Sequence, residues 1–504
     1  MINKEVSPVT EYTIQFMPGG QTITVAEGTS LLEAARSAGL TPNAPCGGKG
    51  TCGKCKVRLL HLQDQPEVLA CQTKVTEAMT VRFLSEESKS QVISTRSHLT
   101  LGQFPPDSED GYCVAFDIGT TTVVGYLLTG SGEELGSAGR LNPQMAYGAD
   151  VISRINYCLE SSQEPLTTVI RSTLKEQILH LCEKQGISHT EIRTIAVVGN
   201  TCMHHMLMAI DPRPLVTPPY SPGEKRALQV GAMELLGICP NATVRVFPNI
   251  AGFVGGDTVG CMTALQFDKL TEPSLLIDIG TNGELVMTDG KKMLACSTAA
   301  GPAFEGAKIS CGMRAADGAI DHVWIENGEV RCSVLGDTEP VGICGSALLD
   351  AIAVFLDLEC IGESGRVLTD DRLLHLKGNV ALTQNDVNEL QFAKGAIAAG
   401  IEMMAADLGL DLHDIQAVYL AGAFGNYMNP DSACRIGLIP SYLRSRIKPC
   451  GNAAGKGSQM AAVSLEAYAY ADMLATMSDF LDLAAQPDFQ DTYVEHLCFE
   501  EEEE

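Results

Sequence analysis

No run of about 18 uncharged, predominantly apolar residues occurs in the 504-residue sequence, so no membrane-spanning helix is expected. The opening residues, MINKEVSPVTEY, lack both the basic and the apolar regions of a secretion signal. Basic charge is scarce. Lys and Arg total 35 against 62 Asp and Glu, and the formal net charge of -27 repels nucleic-acid phosphates and anionic membrane surfaces. A cytoplasmic protein that binds neither nucleic acid nor membrane is expected. The sequence also lacks a second C-x2-C unit to accompany Cys52 and Cys55, which argues against a structural zinc site. Without a secretion signal, 18 cysteines read as reduced thiols rather than a disulfide framework. What remains is a globular composition, 45% hydrophobic and 19% charged, with chain enough for two or three domains.

Residues 12–17 and 21–25 read as two strands joined by Pro18-Gly19-Gly20. Ser30 with Glu33 forms a capping box for a helix whose apolar face is Leu31, Leu32, Ala35 and Ala38, and Gly39 stops it. The next loop carries Cys46, Cys52 and Cys55, with Cys71 following, a C-x5-C-x2-C-x15-C spacing. Four thiolates on a loop rich in glycine, which permits close backbone approach to sulfur, point to a 2Fe-2S cluster. The order of strands, helix and cysteine loop resembles a β-grasp ferredoxin of plant or adrenodoxin type, although the first gap is five residues rather than four. Residues 1–86 are assigned to this domain. Residues 87–112, rich in Ser and charge and carrying Pro105-Pro106, read as a linker.

From residue 113 the pattern becomes α/β, with strands ending in glycine turns and alternating with helices. CVAFDIGTTTVVGYLL at 113–128 and LLIDIGTNGELVM at 275–287 form an internal repeat, each a strand, an Asp-Ile-Gly-Thr turn and a second strand. One such turn alone is equally a plain hairpin. Two of them offer phosphate-binding N–H and hydroxyl groups from Gly119, Thr120, Thr121, Thr122, Gly280, Thr281, Asn282 and Gly283. Asp117 and Asp278 would hold Mg2+, directly or through water, and Glu284 is a candidate for orienting water. A third turn, VYLAGAFGNYM at 418–428, would lay adenosine against Gly422, Ala423 and Gly425. This ordered set resembles the duplicated, ribonuclease H-like ATPase domain of the actin, Hsp70 and sugar kinase superfamily, here at 113–504 with halves near 113–270 and 271–504.

A ferredoxin domain fused ahead of this ATPase resembles the RACo-type reductive activators of corrinoid proteins. The resemblance extends to Asn142-Pro143-Gln144, Gly148-Ala149-Asp150-Val151, Val198-Gly199-Asn200-Thr201, the segment Gly301 to Ala307, and Ala393-Lys394, covering residues 12 to about 470. It implies ATP-dependent one-electron reduction of a cobalt(II) corrinoid protein to cobalt(I), with a 2Fe-2S cluster, ATP and Mg2+ as cofactors. The implied partners are a corrinoid protein of a methyltransferase or acetyl-CoA pathway, an external low-potential electron donor and a second copy of the chain in a homodimer. Family members carry a further small domain after the linker, which this sequence replaces with about 26 residues.

Two rivals stand as alternatives on the sequence. A small-molecule kinase with a regulatory ferredoxin needs a substrate base near the γ-phosphate, and no residue identifies one. An Hsp70-like, redox-sensing binding module needs a peptide-binding domain after the ATPase, which is not expected here. His204 and His205 are adjacent, so they point to different faces and read as packing residues. Asp150 reads equally as a catalytic base or a helix cap, 386–408 as a core helix capped near Thr383, and Phe499 with the glutamates after it as a solvated tail.

Overall fold

A computed structural model describes residues 10–40, 42, 44, 46–50, 53–84, 99, 104–280, 282–306, 308–425 and 427–499. The first sheet contains β1 (Glu11–Met17), β2 (Gln21–Ala26), β3 (Lys56–Leu59), β4 (Glu67–Leu69) and β5 (Met79–Phe83), in the order β2-β1-β5-β3-β4. β1 and β5 run parallel while the other pairs are antiparallel, and the helix Leu31–Ser37 covers the sheet. The Ser30–Glu33 capping box forms as the spacing predicts, and Ile14, Phe16, Leu31, Leu32, Val57 and Val81 fill a small separate core. This is the β-grasp arrangement.

The next sheet contains β6 (Tyr112–Ile118), β7 (Thr122–Thr129), β8 (Glu134–Leu141), β9 (Ile192–Gly199), β10 (Leu228–Gly231) and β11 (Thr243–Val246). β12 (Ser274–Ile279), β13 (Gly283–Thr288) and β14 (Met293–Thr298) open another. Short strands β15 (Ala319–Glu326), β16 (Glu329–Val334), β17 (Gly342–Ile343), β18 (Leu373–His375) and β19 (Ala381–Thr383) then form two small satellite sheets. The sheet begun by β12 is completed by β20 (Ala417–Ala421), β21 (Ile447–Gly451) and β22 (Ser478–Phe480).

The two large sheets read β10-β11-β9-β6-β7-β8 and β21-β20-β12-β13-β14-β22. In both, an antiparallel three-strand meander is extended on the side of its first strand by parallel strands. The internal repeat of the sequence is therefore a repeat of topology, as the ribonuclease H-like reading expects.

The two halves are not contiguous in sequence. Helix Ala453–Val463 follows β21 but packs against the first sheet, where Ser458 Oγ donates to the Phe116 and Ala196 carbonyls at 3.1 Å. It crosses helix Gly256–Leu265 so closely that a Cβ on Gly457 would lie 2.1 Å from the Gly260 carbonyl oxygen. Small residues at this crossing let the two backbones touch. The division at residues 270 and 271 therefore needs correcting for this helix.

Two further expectations change. Most of the segment 87–112 lies outside the described residues, but its end is docked: Asp107 pairs with Arg245 at 2.6 Å and accepts from the Leu465 N–H at 2.8 Å. Phe104 packs on Tyr470 with ring centroids 5.2 Å apart, so the linker reading does not hold from 104 onward. Phe499 is not solvated. It is 3% exposed, its N–H donates to the Glu363 carbonyl at 2.8 Å, and the buried Lys394 ammonium bonds the neighbouring Cys498 carbonyl. An aromatic ring beside a buried ammonium outweighed the acidic run that suggested a tail. Residues 500–504 lie outside the described residues.

Candidate nucleotide cleft and cluster loop

The two Asp-Ile-Gly-Thr turns line one cavity of about 320 Å³ between the halves. In each turn the glycine N–H closes the hairpin, over spans that differ by one residue: Gly119 N–H donates to the Thr122 carbonyl at 2.8 Å, and Gly280 N–H to the Asn282 carbonyl at 2.9 Å. Asp117 and Asp278 stand near the ends of the central strands β6 and β12, and Glu284 lies opposite Asp278 in the β12–β13 register. Asp117, Gly119, Thr120, Thr121, Thr122, Asp278, Gly280, Asn282, Glu284 and Gly422 line the cavity. Thr281 lies outside the described residues, as does the Ala423 side chain.

Two expected contacts face elsewhere. A Cβ at Gly283 would strike Thr298 Oγ1 at 2.7 Å and Ile397 at 3.0 Å, so Gly283 serves the packing of the helix Gln384–Leu408 on β13. At Gly425 the obstacle is the Leu420 backbone, at 3.0 Å. Gly422 does meet the cleft: its φ is +84°, and a Cβ there would fall 2.6 Å from Asp278 Oδ1.

Residues to which the sequence assigned no role complete the wall. Asp257 opens the helix Gly256–Leu265 and accepts from the Thr258 N–H at 2.8 Å; the Gly255-Gly256-Asp257 turn was its available signal. Asn452, at the start of the crossing helix, donates to Asp117 Oδ2 at 2.8 Å. Asn200 donates to Thr120 Oγ1 at 2.9 Å, and Thr121 Oγ1 donates to Glu305 Oε2 at 2.8 Å, joining the first turn to the second half. Arg314 is the one arginine or lysine among the described cavity residues.

The electrostatics follow from this crowding of acids. Burial pushes Asp117 up to about 7, opposed by the Asn452 bond and helped by repulsion from Asp257. Burial likewise lifts Asp278 to about 7, with Asp257 and Asp117 adding repulsion, and the Cys261 thiol facing it at 3.6 Å. Asp257 rises to about 6, and Glu284 is driven well above the ordinary carboxylate range, by burial first and then by Asp257 and Asp278. A bare polyphosphate would be repelled by this wall; a divalent cation between carboxylates and phosphates removes the conflict. Among the described residues no three such groups form a complete metal cage.

In the ferredoxin domain, Cys55 and Cys71 bring their sulfurs to 3.3 Å, and Cys46 lies in the same loop. Cys52 lies outside the described residues. Gly47, Gly48, Gly50 and Gly53 all have positive φ, and a Cβ on Gly48 would meet Leu32 at 3.0 Å and Cys71 at 3.8 Å. A thiol-only donor set on such a loop fits a 2Fe-2S cluster.

His204 and His205 are both buried on helix Thr201–Met208, where His205 Nε2 accepts from the Gly223 N–H at 2.9 Å. Asp150 caps helix Val151–Glu160 by accepting from the Ser153 N–H at 2.7 Å. Neither group reaches the cavity.

Comparison with known proteins follows the same division. The model for the 2Fe-2S iron-sulfur cluster binding domain matches residues 15–76, the RACo middle region matches 112–270, and the C-terminal domain of RACo, the ASKHA domain, matches 272–504. The corrinoid activation enzyme RamQ of Eubacterium limosum is 32% identical, the match covering 95% of this chain and 97% of the relative. That alignment spans 578 positions, more than this chain's 504 residues, so the relative carries segments absent here. The [Co(II) methylated amine-specific corrinoid protein] reductase of Methanosarcina barkeri is 28% identical over 60% of this chain and 61% of its own. Among solved structures, a reductive activator for corrinoid, iron-sulfur protein aligns with a TM-score of 0.70 at 30% identity, covering 97% of this chain and 98% of its own.

Proposed function

Because the chain belongs to the RACo family of reductive activators of corrinoid proteins, we propose that it uses ATP to drive one-electron reduction of an inactive cobalt(II) corrinoid protein to cobalt(I). The observation that carries this reading is the presence, in one chain, of a cysteine loop fit for a 2Fe-2S cluster and a carboxylate-lined cleft fit for Mg-ATP. The methylated-amine corrinoid protein in the Methanosarcina relative's name favours a methyltransferase system as the one served.

Residues 1–86 form the electron-donating domain and 113–504 the ATPase, a division supported by the three family matches. When bound, the cluster supplies a single low-potential electron and Mg2+ offsets phosphate charge. Cys46, Cys52, Cys55 and Cys71 hold the cluster. Asp117 and Asp278, with Asp257 beside them, hold the cation, and Asn452 keeps Asp117 oriented and easier to ionise. The turn N–H groups other than those of Gly119 and Gly280, which close the hairpins, receive phosphate oxygens, and Arg314 adds a guanidinium charge to the cavity. Glu284, whose burial and acidic neighbours Asp257 and Asp278 favour its neutral form, is suited to donate a hydrogen bond toward water or phosphate rather than to act as a base. Gly422 keeps the backbone open for the nucleoside. An external low-potential donor recharges the cluster, and the working unit is a homodimer; both rest on the family resemblance.

The test is anaerobic. Reconstituted protein, chemical reductant, Mg-ATP and a cobalt(II) corrinoid methyltransferase subunit are mixed, and the visible spectrum is followed with ATP omitted in parallel. Cobalt(I) should form only with ATP and be lost in Cys52→Ala. Persistent cobalt(II) across several such subunits, while the cluster is reduced and ATP is hydrolysed, would defeat the assignment.

A further inference from the structure

The segment from Asn142 to Arg154 touches three parts of the molecule at once. On one side it holds three successive carbonyls of the first phosphate turn: Asn142 Nδ2 donates to Gly119 O at 2.9 Å, Asn142 N–H to Thr121 O at 2.9 Å, and Arg154 Nη2 to Thr120 O. Arg154 is fully buried, and its remaining guanidinium groups reach Gly148 O at 2.9 Å and Gln144 Oε1 at 3.3 Å, which ties the turn to the loop. From the second half, Arg314 reaches Met145 Sδ at 3.5 Å.

The other side receives the ferredoxin domain. Arg36, on helix Leu31–Ser37, donates to the Ala146 carbonyl and, at 3.3 Å, to Gly47 O inside the cysteine loop. Its guanidinium lies 5.0 Å from the Tyr147 ring centroid and 5.5 Å from that of Tyr157, a cation set against the edge-to-face pair that the two rings form with centroids 5.0 Å apart. Gly47 approaches so closely that a Cβ would sit 3.1 Å from Tyr147 O. The exposed Lys49–Glu160 pair at 3.4 Å adds little beyond alignment.

We propose that this strap is the docking face for the cluster loop and couples the loop's position to nucleotide in the cleft, with Arg36 and Arg154 as the positioning residues. The inference rests on the ATP and cluster assignments above. The physical argument is continuity. Phosphate binding engages N–H groups of a turn in which three successive carbonyls, those of Gly119, Thr120 and Thr121, are bonded to the strap, so displacement of the turn is imposed on Arg154 and Asn142. Closure of the halves acts on the same loop through Arg314 and Met145. Ala146 and Tyr147, whose carbonyls face Arg36 and Gly47, lie in that loop, within one chain turn of Gly148. A docked contact made of one arginine, two rings and one exposed ion pair is small enough to be made and broken during a catalytic cycle.

The test compares the full-length, cluster-loaded chain with Arg36→Gln, Arg36→Lys and Tyr147→Leu, with and without a non-hydrolysed Mg-ATP analogue. Two readouts are taken: hydrogen exchange of peptides carrying residues 117–122, 142–160 and 31–40, and the midpoint potential and EPR line shape of the reduced cluster. In the wild type, the analogue should protect the turn, alter exchange in the strap and in the Arg36 peptide, and shift the cluster signal. Arg36→Gln and Tyr147→Leu should keep the responses of the turn and strap but lose those of the Arg36 peptide and the cluster, with Arg36→Lys restoring part of them. Undiminished cluster-side responses in both variants, or none in a wild type whose turn is protected, overturn the proposal. A wild type with no cluster signal, or no protection of the turn, counts against the function assignment itself.

Discussion

Binding of Mg-ATP should release protons near neutral pH. Burial holds Asp117 and Asp278 at about 7, so at pH 7 each is about half protonated, whereas a cation seated against them requires both to be ionised. Two such groups give up about one proton per nucleotide at pH 7, about two at pH 6 and few at pH 8. The same linkage makes nucleotide affinity about a hundredfold weaker at pH 6 than at pH 8, or about 2.7 kcal/mol. The sign for the unliganded fold is opposite. Folded values above the unfolded value of 3.8 mean that the native chain binds more protons, so its stability declines as pH rises from about 4 through 7, and bound Mg-ATP reverses the loss. Calorimetric titration with a non-hydrolysed analogue, preloaded with Mg2+, in two buffers of different ionisation enthalpy counts the protons. Asp117→Asn should remove about half of them. Asn452→Ala, which deletes the bond favouring the ionised Asp117, should move the affinity midpoint to higher pH. Equal heats in both buffers at pH 6.5, together with affinity unchanged from pH 6 to 8, would refute the reasoning.

Other substitutions test separate elements. Cys71→Ser should abolish the EPR signal of the reduced cluster and leave ATP hydrolysis intact; retention of the full signal would remove Cys71 from the ligand set. Gly457→Ala forces a Cβ to 2.1 Å from the Gly260 carbonyl, and overpacking at a helix crossing costs about 1–3 kcal/mol, so melting temperature and ATP hydrolysis should both fall. An unchanged melting curve would show that the helices separate freely. Phe499→Ala should cost about 3 kcal/mol and lower the melting temperature without altering nucleotide affinity, because the ring is 3% exposed and remote from the cleft. No change in melting would restore the solvated-tail reading.

The parts of the fold written in local pattern were legible. The Ser30–Glu33 and Thr383–Asp386 capping boxes set helix starts at Leu31 and Gln384 because a hydroxyl and a carboxylate three residues apart satisfy end N–H groups wherever they occur. Both Asp-Ile-Gly-Thr hairpins could be read because the turn needs a small residue and the strands either side are apolar. What could not be read depended on partners distant in sequence. Asp257 and Asn452 reach the cleft only because helices 256–265 and 453–463 cross beneath it, and Gly283 looks like a turn glycine until Ile397 is packed against it. Charge runs misled in the same way at the end of the chain, where Lys394, over one hundred residues away, holds the Cys498 carbonyl.

A plant-type 2Fe-2S centre lies near about -400 mV, and the cobalt(II)/cobalt(I) couple of a corrinoid generally lies lower, so the electron moves uphill and nucleotide must favour some state in which it does not. Differential binding to the acceptor is one way to achieve this. The contacts of the strap place the donor within reach of the same lever, since residues 142–154 bond carbonyls of the phosphate turn on one side and, on the other, Arg36, which also bonds Gly47 O in the loop that carries Cys46. A nucleotide that alters hydrogen bonding or solvent access at the cysteine loop changes the potential of the cluster before any corrinoid protein is present. The two routes separate when the cluster is titrated with nucleotide and without acceptor: a potential that does not move assigns the whole of the driving force to the acceptor's binding.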